Sequence, residues 1–290
     1  MAVPNTTERS GILYGLGAYV TWGLLTIYWK FLQDFDAFEL IGWRIVTSVV
    51  VLLLILVFSK KLQNIFKAFA DPNLSGRILL ASVLLSINWT TYVWAVVNEH
   101  VLETALGYFI APIFTMAIGF IVLRETIRNS HRLVIVLASS AIVVLTYSYG
   151  APPWRALIIA GSWSIYGYLK KQVQLSSLES LSAEVLALLI PAIALVAVTF
   201  DRVDSVPNTA QLHEWVLVLL TGLATAVPLL MFGAASRRVR LSVLGPMQYL
   251  VPTFNFLLGW LVYNESLDPL KLLGFALVWV GLVIFVFDLD

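Results

Sequence analysis

The chain has no cysteine, and only 12% of its 290 residues are charged. The first absence excludes disulfides, zinc–thiolate sites and thiol nucleophiles. The second reaches further. A soluble domain carries roughly 25% charged residues, and eighteen Lys and Arg with seventeen Asp and Glu cannot clothe a water-facing surface. The solvent is therefore lipid. A net charge of +1 implies neither a nucleic acid nor an acidic partner. The three histidines, His100, His131 and His213, have no paired ligand spacing, so no metal site is indicated. There is no GxxxxGKS/T phosphate loop and no GxSxG elbow, which speaks against ATP-driven pumping and against an enzyme by this chain. No cofactor is expected. No loop is long enough for a soluble domain.

What is present is apolar: 60% of residues are hydrophobic, and the mean hydropathy is +0.89. A hydrocarbon core about 30 Å thick needs ~20 apolar helical residues. On that ruler the chain divides into ten spans: approximately Gly11–Lys30, Phe38–Phe58, Gly76–Val97, Val101–Leu123, His131–Tyr149, Pro152–Lys170, Leu178–Phe200, His213–Ala235, Leu241–Tyr263 and Pro269–Phe287. Asp71-Pro72-Asn73 reads as a turn in the longest loop. The first run has no A-x-A-like cleavage site behind it, so it reads as a retained helix rather than a signal peptide. With the N-terminus inside, 13 of the 18 Lys and Arg fall in inner loops and 3 in outer ones (Arg155, Arg202 and Lys271). That positive-inside split places both termini in the cytoplasm of a bacterial-type inner membrane.

The chain also matches itself. Pro112–Ile127 and Pro252–Leu267 share Pro, Phe, Gly, Val and Glu at 112/252, 114/254, 119/259, 122/262 and 125/265. Composition alone would give on the order of one or two of these coincidences, so the chain is read as duplicated. Gly17-Ala-Tyr19-x-x-Trp22-Gly23 recurs more weakly as Gly161-Ser-Trp163-x-x-Tyr166-Gly167. The boundary falls between repeats 1–150 and 151–290. Five spans per repeat is an odd number, so the second repeat enters the membrane inverted, the arrangement of many alternating-access carriers. The fold expected is all-α: ten transmembrane helices as two inverted five-helix repeats.

Ionisable groups within spans cost a few kcal/mol and need a reason. Arg44 is the first candidate, as a ligand for an anionic group of a substrate. Glu184 or Glu103 would be its resting partner or a proton site. A structural ion pair is the plain alternative, and Lys30 reads as snorkelling. Trp22, Trp89, Tyr92, Tyr108, Trp163, Tyr166 and Tyr249 lie inside spans, away from the interface belts, and suit the wall of a cavity. Asn88, Gln248 and Asn255 are mid-span amides that need partners, which a hydrated cavity supplies. Glu125 and Glu265 each close a span. They read as gate latches pairing with arginines, or as plain helix-end salt bridges.

Several stretches together resemble the EamA-type branch of the drug/metabolite transporter superfamily, and within it the RarD subgroup, named for chloramphenicol sensitivity. They include Ala18-Tyr19-Val20-Thr21-Trp22-Gly23, Glu39-x-x-x-x-Arg44, Asn88-Trp89, Leu102–Pro112, Val227-Pro228-Leu229-Leu230, Arg240–Gly245 and Gln248-Tyr249-x-x-Pro252-Thr253. Trp43 stands where the subgroup usually has His, and Ala111 where it usually has Asn. The resemblance implies ten helices around a central cavity and export or exchange of small metabolites, often amino acids. The partners implied are a small-molecule substrate and the lipid bilayer, with proton coupling or facilitated diffusion both open. A membrane receptor, scaffold or intramembrane enzyme is the alternative.

Overall fold

The apolar runs fold as helices, and short polar residues between them set where each begins. The computed structural model describes residues 6–123, 129–170, 172–236, 238 and 247–287, and these contain no strand. In order they form α1 (Thr6–Lys30), α2 (Ala37–Phe58), α3 (Leu62–Ala70), α4 (Pro72–Val97), α5 (Val101–Leu123), α6 (Asn129–Tyr149) and α7 (Trp154–Lys170). Then follow α8 (Ser177–Ala187), α9 (Leu189–Thr199), α10 (Val206–Thr209), α11 (Leu212–Ser236), α12 (Leu250–Leu257), a π-turn (Leu258–Val262) and α13 (Pro269–Phe287).

Asp36 caps α2, accepting from the N–H of Phe38 and Glu39 at 3.0 and 3.1 Å. Ser176 and Glu179 close a capping box on α8. Asp71 caps α4, with Pro72 in its first turn. The Asp-Pro-Asn signal is therefore a helix start, as a cap followed by proline at N1 allows. The loop before it holds the amphipathic α3 rather than irregular chain.

The expected span 178–200 is broken. α8 and α9 meet at 46° around Leu188. Pro191 has no N–H for the carbonyl of Ala187, so the ladder cannot run through. Six helices (α1, α2, α4, α5, α6 and α11) are long and apolar enough to cross a bilayer, and the bent pair makes a seventh. Leu250–Val262 and Pro269–Ile284 are apolar but shorter, and α7 has 17 residues, so ten is not reached on length and composition alone.

α11 lies against both α1 and α2, α5 against α7, α6 against α13, and α2 against α9. At the α2–α11 crossing backbone meets backbone. A Cβ on Gly222 would lie 2.5 Å from the carbonyl oxygen of Thr47, so only glycine fits. Beside it, the Thr47 and Thr221 hydroxyls bond at 2.8 Å. The same helices expose large apolar side chains, Leu54 and Phe58 on α2 and Leu219 and Leu223 on α11, as lipid contact requires.

Candidate functional site

Arg44 is 5% exposed, about two turns into α2. Its Nε donates to Thr225 Oγ1 of α11 at 3.1 Å. Its guanidinium lies 3.9 Å from the centroid of the Trp89 ring and 5.5 Å from that of Trp29. Tyr28, Tyr92 and Tyr108 stand within electrostatic reach. Among the described residues no carboxylate and no further acceptor reaches it. The guanidinium is held by aromatic faces, which attract a cation without neutralising it. Its remaining N–H groups form the fork that suits a carboxylate.

Glu184 and Glu103 do not pair with Arg44. Glu184 is fully buried, and its carboxylate takes Lys170 Nζ at 2.8 Å, Ser180 Oγ at 2.7 Å and Tyr166 OH at 2.9 Å. Glu103 takes Arg155 Nη1 at 2.7 Å. Both cations come from α7, Arg155 in its first turn and Lys170 at its last residue, which sequence spacing alone does not disclose.

Around Arg44 the polar groups close on one another. Asn88 donates to Ile159 O and to Ser162 Oγ, both at 3.1 Å, and accepts from Tyr108 OH at 3.2 Å. Asn255 donates to Thr104 Oγ1 at 3.1 Å and accepts from Thr26 Oγ1 at 2.7 Å, while Thr26 meets Tyr92 OH at 2.9 Å. Both amides are satisfied inside helix seams, so neither needs the hydrated cavity expected for it. Tyr92, Tyr108, Trp163 and Tyr166 form a row with ring centroids 6.0, 6.3 and 5.7 Å apart. The row runs from the Arg44 pocket to the Glu184 cluster.

Other candidates lie elsewhere. Trp22 packs with Tyr19 and Phe232. Gln248 is half-buried in the turn before α12. Tyr249 lines an apolar crevice of about 510 Å³ with Phe109, Phe256 and Trp279. Trp29 and Thr225 also reach Arg44, and neither stands out in sequence: Trp29 precedes Lys30 at a span end and reads as interface belt.

Among the described residues Glu265 pairs with no arginine. Its two oxygens accept the N–H of Val101 at 2.5 Å and of Leu102 at 2.9 Å, capping α5 from the chain's other half. Burial pushes its carboxyl above the ordinary value, against the opposing pull of these two N–H groups, His100 and Lys30. Glu125, with Arg124 and Arg128, lies outside the described residues, as do Arg240–Gly245.

The EamA-like transporter family model matches the chain twice, over residues 9–147 and 154–287. Protein RarD of Streptomyces exfoliatus is 40% identical over 97% of this chain and 89% of its own. The uncharacterized transporter YojE of Bacillus subtilis is 32% identical over 98% and 96%. A solved structure titled "Crystal structure of protein" shares the fold with a TM-score of 0.62 at 17% identity, covering 96% of this chain and 97% of its own.

Proposed function

The chain belongs to the EamA-like transporter family and is a multi-pass membrane transporter, and from that premise we propose that it carries a small metabolite with an anionic group across the bacterial inner membrane by alternating access. The observation that carries this reading is Arg44: a buried guanidinium, stacked on Trp89, fixed by one hydroxyl and given no counter-ion by the described residues. A substrate carboxylate would supply the missing charge. Thr225 and Arg44 come from different halves of the chain, so a substrate there touches both.

Two further observations support the reading. Number the expected spans one to ten and exchange each with the span five places along. The contact of 4 with 6 becomes 9 with 1, 1 with 8 becomes 6 with 3, and 2 with 8 becomes 7 with 3. All of these are packed, and the contacts 2–7, 4–9 and 5–10 map onto themselves. Such a list favours repeats 1–150 and 151–290 related by a two-fold axis, and an odd number of spans per repeat would set that axis in the membrane plane. Second, the loops sort by their joins. Arg77 bonds Gln172 O and Asn64 bonds Glu179, within the lysine- and arginine-rich set; Arg155 bonds Glu103 and Ser148 bonds Asp268, within the other. This favours cytoplasmic termini. Export is the direction we assign, and it entails uptake by everted vesicles.

The test is counterflow in proteoliposomes with labelled amino acids and chloramphenicol, for the native protein and Arg44→Ala. Saturable counterflow of a carboxylate-bearing solute, lost in the variant with its fold intact, is the expected result. Native-level counterflow in Arg44→Ala would sink the assignment of Arg44.

A further inference from the structure

At the end of the bundle where α5 and α7 begin, a cavity of about 580 Å³ is lined by Glu103, Tyr149, Trp154, Arg155 and Lys271 among others. Its size is that of a small-molecule site. Among the described residues six buried side-chain nitrogen or oxygen atoms have no hydrogen-bond partner, and three of them, Glu103 Oε2, Tyr149 OH and Arg155 Nε, belong to residues lining this one cavity. A buried polar atom left unpaired is costly, and three around one cavity point to a shared occupant.

The three atoms differ in kind. A carboxylate oxygen only accepts, a phenol does either, and a guanidinium N–H only donates. Glu103 is 5% exposed, and its other oxygen is spent on Arg155 Nη1. The lining also has a sign. Glu99, Glu103 and Glu265 face Arg155 and Lys271, and Lys271 is already engaged by Asp268 and Ser266. The surplus is negative, so it favours a cation. No three His, Asp or Glu side chains among the described residues converge as a metal would require, so the cation is one that brings N–H donors.

We propose that this cavity binds a small ligand with a primary ammonium group and an oxygen acceptor close to it. The ammonium donates to Glu103 Oε2 and Tyr149 OH, and the oxygen accepts from Arg155 Nε. Arg155 is steadied for this by the rings of Trp94 and Trp154, 4.8 and 4.6 Å away. Two sources carry the chemistry, a free amino alcohol and the headgroup of an ethanolamine lipid. The site does not depend on Arg44 and stands or falls apart from it.

The full-length protein in detergent without amine lipid is titrated with ethanolamine, ethylamine and ethanol while its thermal midpoint is followed. Ethanolamine is expected to raise the midpoint saturably, ethylamine several-fold more weakly, and ethanol not at all. Tyr149→Phe should weaken the ethanolamine response about fivefold and leave the ligand-free midpoint equal or higher, since it removes an unpaired buried hydroxyl. A merely structural tyrosine would lower the midpoint and leave the response intact, which overturns the proposal. In nanodiscs, an ethanolamine response kept in phosphatidylcholine but lost in phosphatidylethanolamine makes the headgroup the occupant; a response kept in both makes it a free solute. No saturable response to any probe would mean that ordered water alone serves the three atoms, and the site would be abandoned.

Discussion

Arg44 is held by stacking rather than by a counter-charge, and that decides how it responds to substitution. Lysine keeps the charge but loses the planar fork and most of its contact with Trp89. Loss of the bidentate fork should raise the apparent KM for counterflow about tenfold, and loss of the desolvated contact with Trp89, worth up to about 2 kcal/mol, should lower the thermal midpoint as well. An unchanged KM would separate the guanidinium from the substrate. Asn255 should affect stability alone. Its amide is spent on Thr104 and Thr26, and Asn255→Ala leaves both without that bond. A loss of about 1–3 kcal/mol, read as a fall in the thermal midpoint, is expected with KM unchanged. At this scale the sequence discloses which residues are anomalous but not which ones meet. Arg44 is conspicuous because charge is costly in lipid. Trp29 is hidden because an aromatic beside a lysine at a span end reads as interface. Lys170 is hidden because a basic residue at a helix end reads as loop, yet it turns back to Glu184.

Helix crossings and helix ends carry the next set of consequences. Gly222→Ala places a methyl 2.5 Å from a backbone oxygen of α2, which cannot swing aside. A cost of about 1–3 kcal/mol is expected, seen as a lowered midpoint. Gly161→Ala meets nothing within 4 Å and removes a flexible residue from a helix, so it should gain about 0.5–1 kcal/mol. Equal effects of the two would show that the crossing is not set by Gly222. At the α5 end, Glu265 has a raised pKa in the folded protein, chiefly through burial. A group whose folded pKa is raised stabilises below its unfolded value and loses that contribution as pH rises through the folded one. The native midpoint should therefore fall as pH climbs from its ordinary value of 4.5 upward, and Glu265→Gln should flatten that fall. Parallel profiles for the two proteins would remove Glu265 as the source. Of these elements, the six long spans were legible because apolar length is a direct signal; the shorter helices fall below that signal. Interruptions were less so. Pro191 reads from sequence as a hinge or a static kink inside a span, but so do Pro112 and Pro228, which lie within α5 and α11 without ending them, so proline alone does not mark which span breaks. The π-turn at 258–262 has no composition that marks it: it is visible only in the bond from Tyr263 N to Leu258 O.

For the molecule as a whole, the question is whether the two halves of the chain separate at the α5 end during a cycle. There the second half grips the first through Glu265 on the α5 amides and through Gly259, whose Cβ would lie 3.2 Å from Leu102 Cγ and Leu102 N. The sequence matches itself at an offset of 140 residues, but the offset says only that the two stretches are alike. It does not say where the halves hold each other, because Glu265 bonds backbone, and backbone has no signature in sequence. That grip can be tested cleanly, since the chain has no cysteine of its own. The close approach at Gly259 suits a disulfide, whose Cβ atoms sit about 3.5–4.5 Å apart. If alternating access opens this end, Leu102→Cys with Gly259→Cys should stop counterflow when oxidised and restore it on reduction, while each single variant transports in either condition. Full counterflow in the oxidised double variant would mean that α5 and the π-turn travel together, and that any opening lies at another seam.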